Sequence, residues 1–202
     1  MRIGVTGYAQ HGKDTVASVL VSEYGFKRLA FADALKELAL KVDPIVRNPY
    51  LPAAEARLSW TVAKFGWEEA KSLEEVRRLL QELGTGAREI LGDDIWTRII
   101  ARKMRSTYDP VVISDVRFPN EAEMIHWHGG EIWRVIRITP EGASYDNGIG
   151  IDHPSEAQIA DIDFDKILVA HDVPSLQESV RKTMDYGQKK IEAEVEETIF
   201  YG

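Results

Sequence analysis

The chain has 202 residues, no cysteine, and 33 acidic against 25 basic side chains, for a net charge of −8. That length allows one substantial core; the acidic balance argues against a nucleic-acid polymer as partner, and the missing thiols exclude disulfides and thiolate metal sites. No apolar run approaches the ~18–20 residues of a membrane span, and a strand pattern at the very start leaves no room for a signal peptide, so a cytoplasmic protein without a membrane partner is expected.

The elements read in chain order as follows. Residues 2–6 form an apolar strand, and 15–24 an amphipathic helix ended by Gly25. A second strand covers 27–31 and a helix 32–42. From about 43 to 91 the pattern is helical with no convincing strand; its clearest helix, 73–83, stops at the Gly84-Thr85-Gly86 break. A helix over 94–105, capped by Asp93 or Asp94, leads to a buried strand at 110–115 ending in Asp115. A helix at 120–126, a strand at 131–138, a glycine-bearing loop, a strand at 166–170 and a long helix from 175 to about 197 complete the chain. Alternating strands and helices predict right-handed crossovers and an α/β fold with a parallel sheet covered on both faces. His126 and His128, two apart near a helix end, point in different directions and make poor joint metal ligands.

The first strand runs into Gly7-Tyr8-Ala9-Gln10-His11-Gly12-Lys13-Asp14-Thr15 and then a helix. Strand, glycine-bounded loop, lysine and helix make up a phosphate-binding P-loop: backbone amides converge on phosphate oxygens and the helix N-terminus adds positive potential. The hydroxyl that usually follows the lysine stands one place later, as Thr15, with Asp14 between. Gly7, Ala9, Gln10, His11, Gly12, Lys13, Asp14, Thr15 and Val16 are therefore the candidate nucleotide-binding residues. Asp115, at the tip of a neighbouring strand, is placed to support Mg²⁺ directly or through water, with Asp14 and Thr15 as the other metal candidates. Asp14 has further readings: it orients the attacking phosphate, or it serves only the helix N-terminus.

Four stretches together resemble the bacteriophage deoxynucleoside monophosphate kinases. These are the loop ending in Gly-Lys-Asp-Thr; Val76-Arg77-Arg78-Leu79-Leu80-Gln81-Glu82-Leu83-Gly84-Thr85 followed by Trp96; Val112 to Arg117; and His153-Pro154-Ser155-Glu156-Ala157. Phosphomevalonate kinases are similar in the first, third and fourth stretches. The resemblance implies a P-loop fold with five parallel strands in the order 2-3-1-4-5, a monophosphate-binding insertion at about 43–91, and a short lid at about 139–163. It implies transfer of a phosphoryl group from ATP, with Mg²⁺, to a deoxynucleoside monophosphate, in a monomer or homodimer of the host cytoplasm if viral.

Under that reading Lys13, Asp14, Asp115 and Arg117 are catalytic candidates. The acceptor would meet Arg117, Arg88 and one of Arg77 or Arg78, because guanidinium grips phosphate bidentately. Adjacent helical residues diverge by about 100°, so the other arginine of the pair is expected to join Glu74 or Glu82. Phe31 and Asp33, closing the second strand, Gln81, Thr85, Trp96 and Glu156 are the remaining substrate candidates; for Phe31 and Trp96 core packing competes. The lid stretch carries no lysine or arginine, so its cationic role falls to Arg137 or Arg134, to Arg98 or Arg102, or to no lid residue at all. A kinase for another small phosphate ester and an ATP-binding regulatory protein are the rival readings.

Overall fold

The computed structural model describes residues 1–47, 55–140, 142, 145 and 158–201, with side chains through 187. It comprises two compact units, Met1–Leu29 with Met104–Gly202, and Ala30–Lys103.

The first unit holds the parallel sheet. Its strands are β1 (Arg2–Thr6), β2 (Lys27–Leu29), β5 (Val111–Val116), β6 (Glu131–Arg137) and β7 (Lys166–Ala170), ordered β2-β5-β1-β6-β7. Counting only these five, the order is the expected 2-3-1-4-5. Helix α1 (Lys13–Tyr24) and the terminal helix α7 (Val173–Tyr201) cover one face. There Val16, Leu20, Leu176 and Val180 pack with Ile3, Val5, Val112, Trp133 and Val135. Burying such side chains contributes roughly 1.5–3 kcal/mol each. Helix α6 (Pro119–Trp127) covers the other face so closely that a Cβ on Gly4 would lie 2.7 Å from Ile125 Cδ1 and 2.6 Å from Ile132 Cδ1. The central strand β1 is thus apolar on both sides, as a doubly covered strand must be.

The edge of this unit is tied by polar contacts. Asp165 Oδ2 accepts from Ile132 N at 2.6 Å and contacts His126 Nε2 at 2.8 Å. Burial would raise this carboxyl, but those two partners outweigh it and hold it below the usual carboxylate range. Arg181 of α7 grips Glu23 of α1 through two bonds of 2.8 and 2.7 Å.

The second unit contains α2 (Phe31–Val42), β3 (Ile45–Arg47), β4 (Glu55–Arg57), α3 (Leu58–Ser72), α4 (Glu74–Leu91) and most of α5 (Ile95–Arg105). Its core joins Ala39, Val46, Leu58, Ala70, Val76 and Leu80, with Leu35 and Leu83 against it. Helix α2 supplies part of this core through Ala39, with Leu35 and Leu40 packed against it.

Three sequence expectations need correction. The insertion does contain strand: β3 and β4 pair antiparallel, with Val46 opposite Ala56. Three-residue strands are too short to show a period of two. Second, β2 ends at Leu29, so Phe31 and Asp33 open α2 instead of closing a strand. Third, α4 runs through Gly84 and Gly86 without a break. A Cβ on Gly84 would lie 3.3 Å from Leu35 Cδ2, so this glycine permits close helix packing.

Candidate active site

The loop after β1 is shaped by backbone conformations that few side chains tolerate. Gly7 has φ 146°, Gln10 64° and Gly12 101°. A Cβ on Gly7 would sit 2.5 Å from the Val135 carbonyl oxygen of β6, and one on Gly12 would sit 2.5 Å from Leu176 Cδ2 of α7. Glycine is required at both positions by conformation and by space. His11 N donates to Tyr8 O at 3.3 Å, closing the turn. Gly12 is the N-cap of α1 and brings no side chain to answer the first helical amides, which leaves them for an anion.

Lys13 folds back over this loop, its Nζ donating to Gly7 O at 2.6 Å and Tyr8 O at 2.8 Å. The ammonium is therefore held at the mouth of the turn that the amides line. Asp14 is exposed and Thr15 half-buried on the first turn of α1. On the neighbouring strand β5, Asp115 is half-buried. Two buried hydroxyls near these strand ends, Thr6 Oγ1 and Ser114 Oγ, have no hydrogen-bond partner among the described residues; an ordered water would remove that cost. Asp14, Thr15 and Asp115 offer hard oxygen donors only, a set suited to Mg²⁺, which takes one or two protein oxygens and otherwise keeps water and phosphate.

The corner after β5 is organised by Glu121, which is 2% exposed. Its Oε2 accepts from Arg117 N at 2.8 Å and Phe118 N at 3.2 Å. Sequence reasoning missed this carboxylate. The signal was available: Pro119 at the helix start with Glu three residues after the Phe118 cap is the acidic half of a capping box.

His11 is 3% exposed and reaches from the loop to the end of β6. Arg137 N donates to its Nδ1 at 3.3 Å, and its Nε2 lies 3.2 Å from Tyr145 O. The Arg137 guanidinium stands over the Tyr145 ring, 4.3 Å from its centre. Arg134 is engaged elsewhere, donating to Ile159 O at 3.1 Å and lying over Phe164. Arg98 pairs with Asp94 at 3.3 Å. Arg137 is tied to the phosphate loop through its main-chain N–H on His11.

In the second unit α4 carries most of the acceptor candidates. Arg78 Nη1 bonds Glu82 at 2.9 and 3.1 Å, as expected for one arginine of the pair, while the neighbouring Arg77 is exposed. Gln81 and Thr85 are exposed, and Arg88 Nη1 donates to Asp93 O at 3.0 Å. Phe31 is 6% exposed and Trp96 5%; the Trp96 indole donates to Gly84 O at 3.2 Å. Asp33 is half-buried in the first turn of α2. Glu156 and the rest of the His153 stretch lie outside the described residues.

No family model matches this sequence. A protein of Acanthamoeba polyphaga mimivirus named "Putative deoxynucleotide monophosphate kinase" is 31% identical over 176 residues, covering 83% of this chain and 86% of that protein. The chain belongs to that kinase family. The relative is a mimivirus protein, where the motif resemblance had pointed to bacteriophages. Among solved structures, shikimate kinase from Aquifex aeolicus aligns at 13% identity and TM-score 0.40 over all of both chains. Dephospho-CoA kinase from Campylobacter jejuni aligns at 15% and 0.41 over 92% of this chain and 96% of that one; likenesses this low carry no weight here. Among the described residues of the kinase, no helix is long and apolar enough to cross a membrane.

Proposed function

We propose that this kinase transfers the γ-phosphoryl group of ATP to deoxynucleoside 5′-monophosphates, giving the diphosphates. The observation that carries the reading is the match to the mimivirus protein over 83% of the chain, whose printed name gives the acceptor class. The phosphate loop supports a nucleoside triphosphate as donor.

Phosphoryl transfer needs the two phosphates in line, their charge neutralised and water excluded. Lys13 would exchange the carbonyls of Gly7 and Tyr8, its present partners at 2.6 and 2.8 Å, for the outer phosphate oxygens of the donor. Amides of the loop and of the first turn of α1 would hold the same phosphates. Thr15, Asp14 and Asp115 would hold Mg²⁺. Bound there, the metal would neutralise charge on the transferring group. Arg137 would lie along the donor. Arg117, Arg88 and Arg77 would grip the acceptor phosphate, with Gln81 and Thr85 directed to the base edge and Asp33 to the sugar or base.

A coupled assay that follows ADP formation with dGMP, dTMP, dCMP, dAMP and phosphomevalonate tests the reading. Turnover dependent on one or more of the four nucleotides is the expected result. Turnover with phosphomevalonate alone, or ATP hydrolysis at the same rate without any acceptor, would reject it.

A further inference from the structure

Both ring nitrogens of His11 face main-chain groups of the segment that leaves β6. Arg137 N–H points at Nδ1 from 3.3 Å, so Nδ1 must present its lone pair. The ring proton then sits on Nε2, directed at the Tyr145 carbonyl 3.2 Å away. This neutral tautomer satisfies both contacts; the other would donate from Nδ1 to Val135 O at 3.4 Å and leave these two unmade. Tyr145 N also donates to Arg137 O at 2.9 Å, so residues 137 and 145 are joined to each other as well as to the imidazole. Between them the guanidinium of Arg137 rests on the Tyr145 ring at 4.3 Å.

We propose that His11 is a positioning residue: by accepting from Arg137 N–H and donating to Tyr145 C=O, it locks the β6 end to the phosphate loop and fixes the Arg137 guanidinium for the donor nucleotide. This rests on the reading of ATP as donor. A ring of similar size could fill the space. Only a group with an acceptor and a donor about as far apart as the two ring nitrogens makes both bonds, and glutamine is such a group.

The test is calorimetric titration of Mg·AMP-PNP into the full chain and into His11→Phe, His11→Gln and Lys13→Ala. His11→Phe is expected to weaken binding about tenfold, the size of one net hydrogen bond. His11→Gln is expected to recover most of that loss. Parent-like binding by His11→Phe, or failure of His11→Gln to rescue, would each overturn the proposal. Where His11→Phe does not fold, His11→Gln decides alone: near-parent affinity supports the proposal and an about tenfold loss overturns it. Undiminished binding by Lys13→Ala would instead sink the donor-site reading itself.

Discussion

The phosphate loop and helix α4 assign function to residues in opposite ways. In the loop the proposed binding groups are main-chain amides, and the loop's conformation depends on Gly7 and Gly12, close to Val135 O and Leu176. On α4 the backbone is regular throughout, and function depends on which face each side chain occupies. Arg77 and Arg78 are neighbours in sequence and both are exposed, and Arg78 is bonded to Glu82. A site made of backbone tolerates little change of residue; a site made of side chains on a regular helix tolerates much, one position at a time.

The largest expected effect tests the loop directly. Lys13→Ala should lower phosphoryl transfer about a thousandfold, the scale for removing a preorganised charged donor, with an unchanged far-ultraviolet spectrum; a variant of near-normal rate would break the contrast at its root. The glycines come next. Gly7→Ala should cost about 2 kcal/mol or more in denaturant unfolding, because the added carbon meets backbone at a positive φ. Gly86→Ala, on the regular helix with open space around it, should instead gain about 0.5–1 kcal/mol. Equal effects at the two positions would show that loop and helix do not differ as argued.

Smaller effects sharpen the helix side. Arg77→Ala should raise KM for the monophosphate acceptor about tenfold, by loss of a charged phosphate contact. Arg78→Ala should chiefly remove an exposed i, i+4 ion pair worth ~0.3–0.5 kcal/mol of helix stability; the reverse pattern would assign the faces the other way. The smallest effect concerns acid. The Asp165 carboxyl is held low in the folded state, so its contacts with Ile132 N–H and His126 stabilise above the ordinary aspartate range and are lost as pH falls below it. Asp165→Asn should lower Tm near neutral pH and flatten the acid side of the stability curve; a parallel downward shift would show that the carboxylate charge is not what matters.

The sheet was most legible at its centre, where Val111 to Ile113 is a continuous buried apolar run; at its edges β2 is Lys-Arg-Leu and β7 leaves Ile167 and Val169 exposed. Its order was what the family resemblance implied. The short β3–β4 pair was not legible, since three residues cannot display a repeat. The Gly84-Thr85-Gly86 stretch misled because glycine has two uses: it ends helices, and it lets helices approach. Leu35 against Gly84, and the Trp96 indole on its carbonyl, select the second. Neither partner is near Gly84 in sequence.

Sequence by itself determined the chemistry that short-range covalent order can carry: strand, glycine-bounded turn, lysine and helix, all within residues 2–24, where conformation is set by neighbours along the chain. Only the tertiary structure joins the main chain at Arg137 to that turn. Arg137 lies 126 positions from His11, and Arg134, three residues earlier, is drawn to Ile159 and Phe164 instead. Hydrogen bonds between residues so distant in sequence exist only after β1 and β6 have paired. A pattern read along the chain names the candidates for such a role, and packing across the sheet chooses among them.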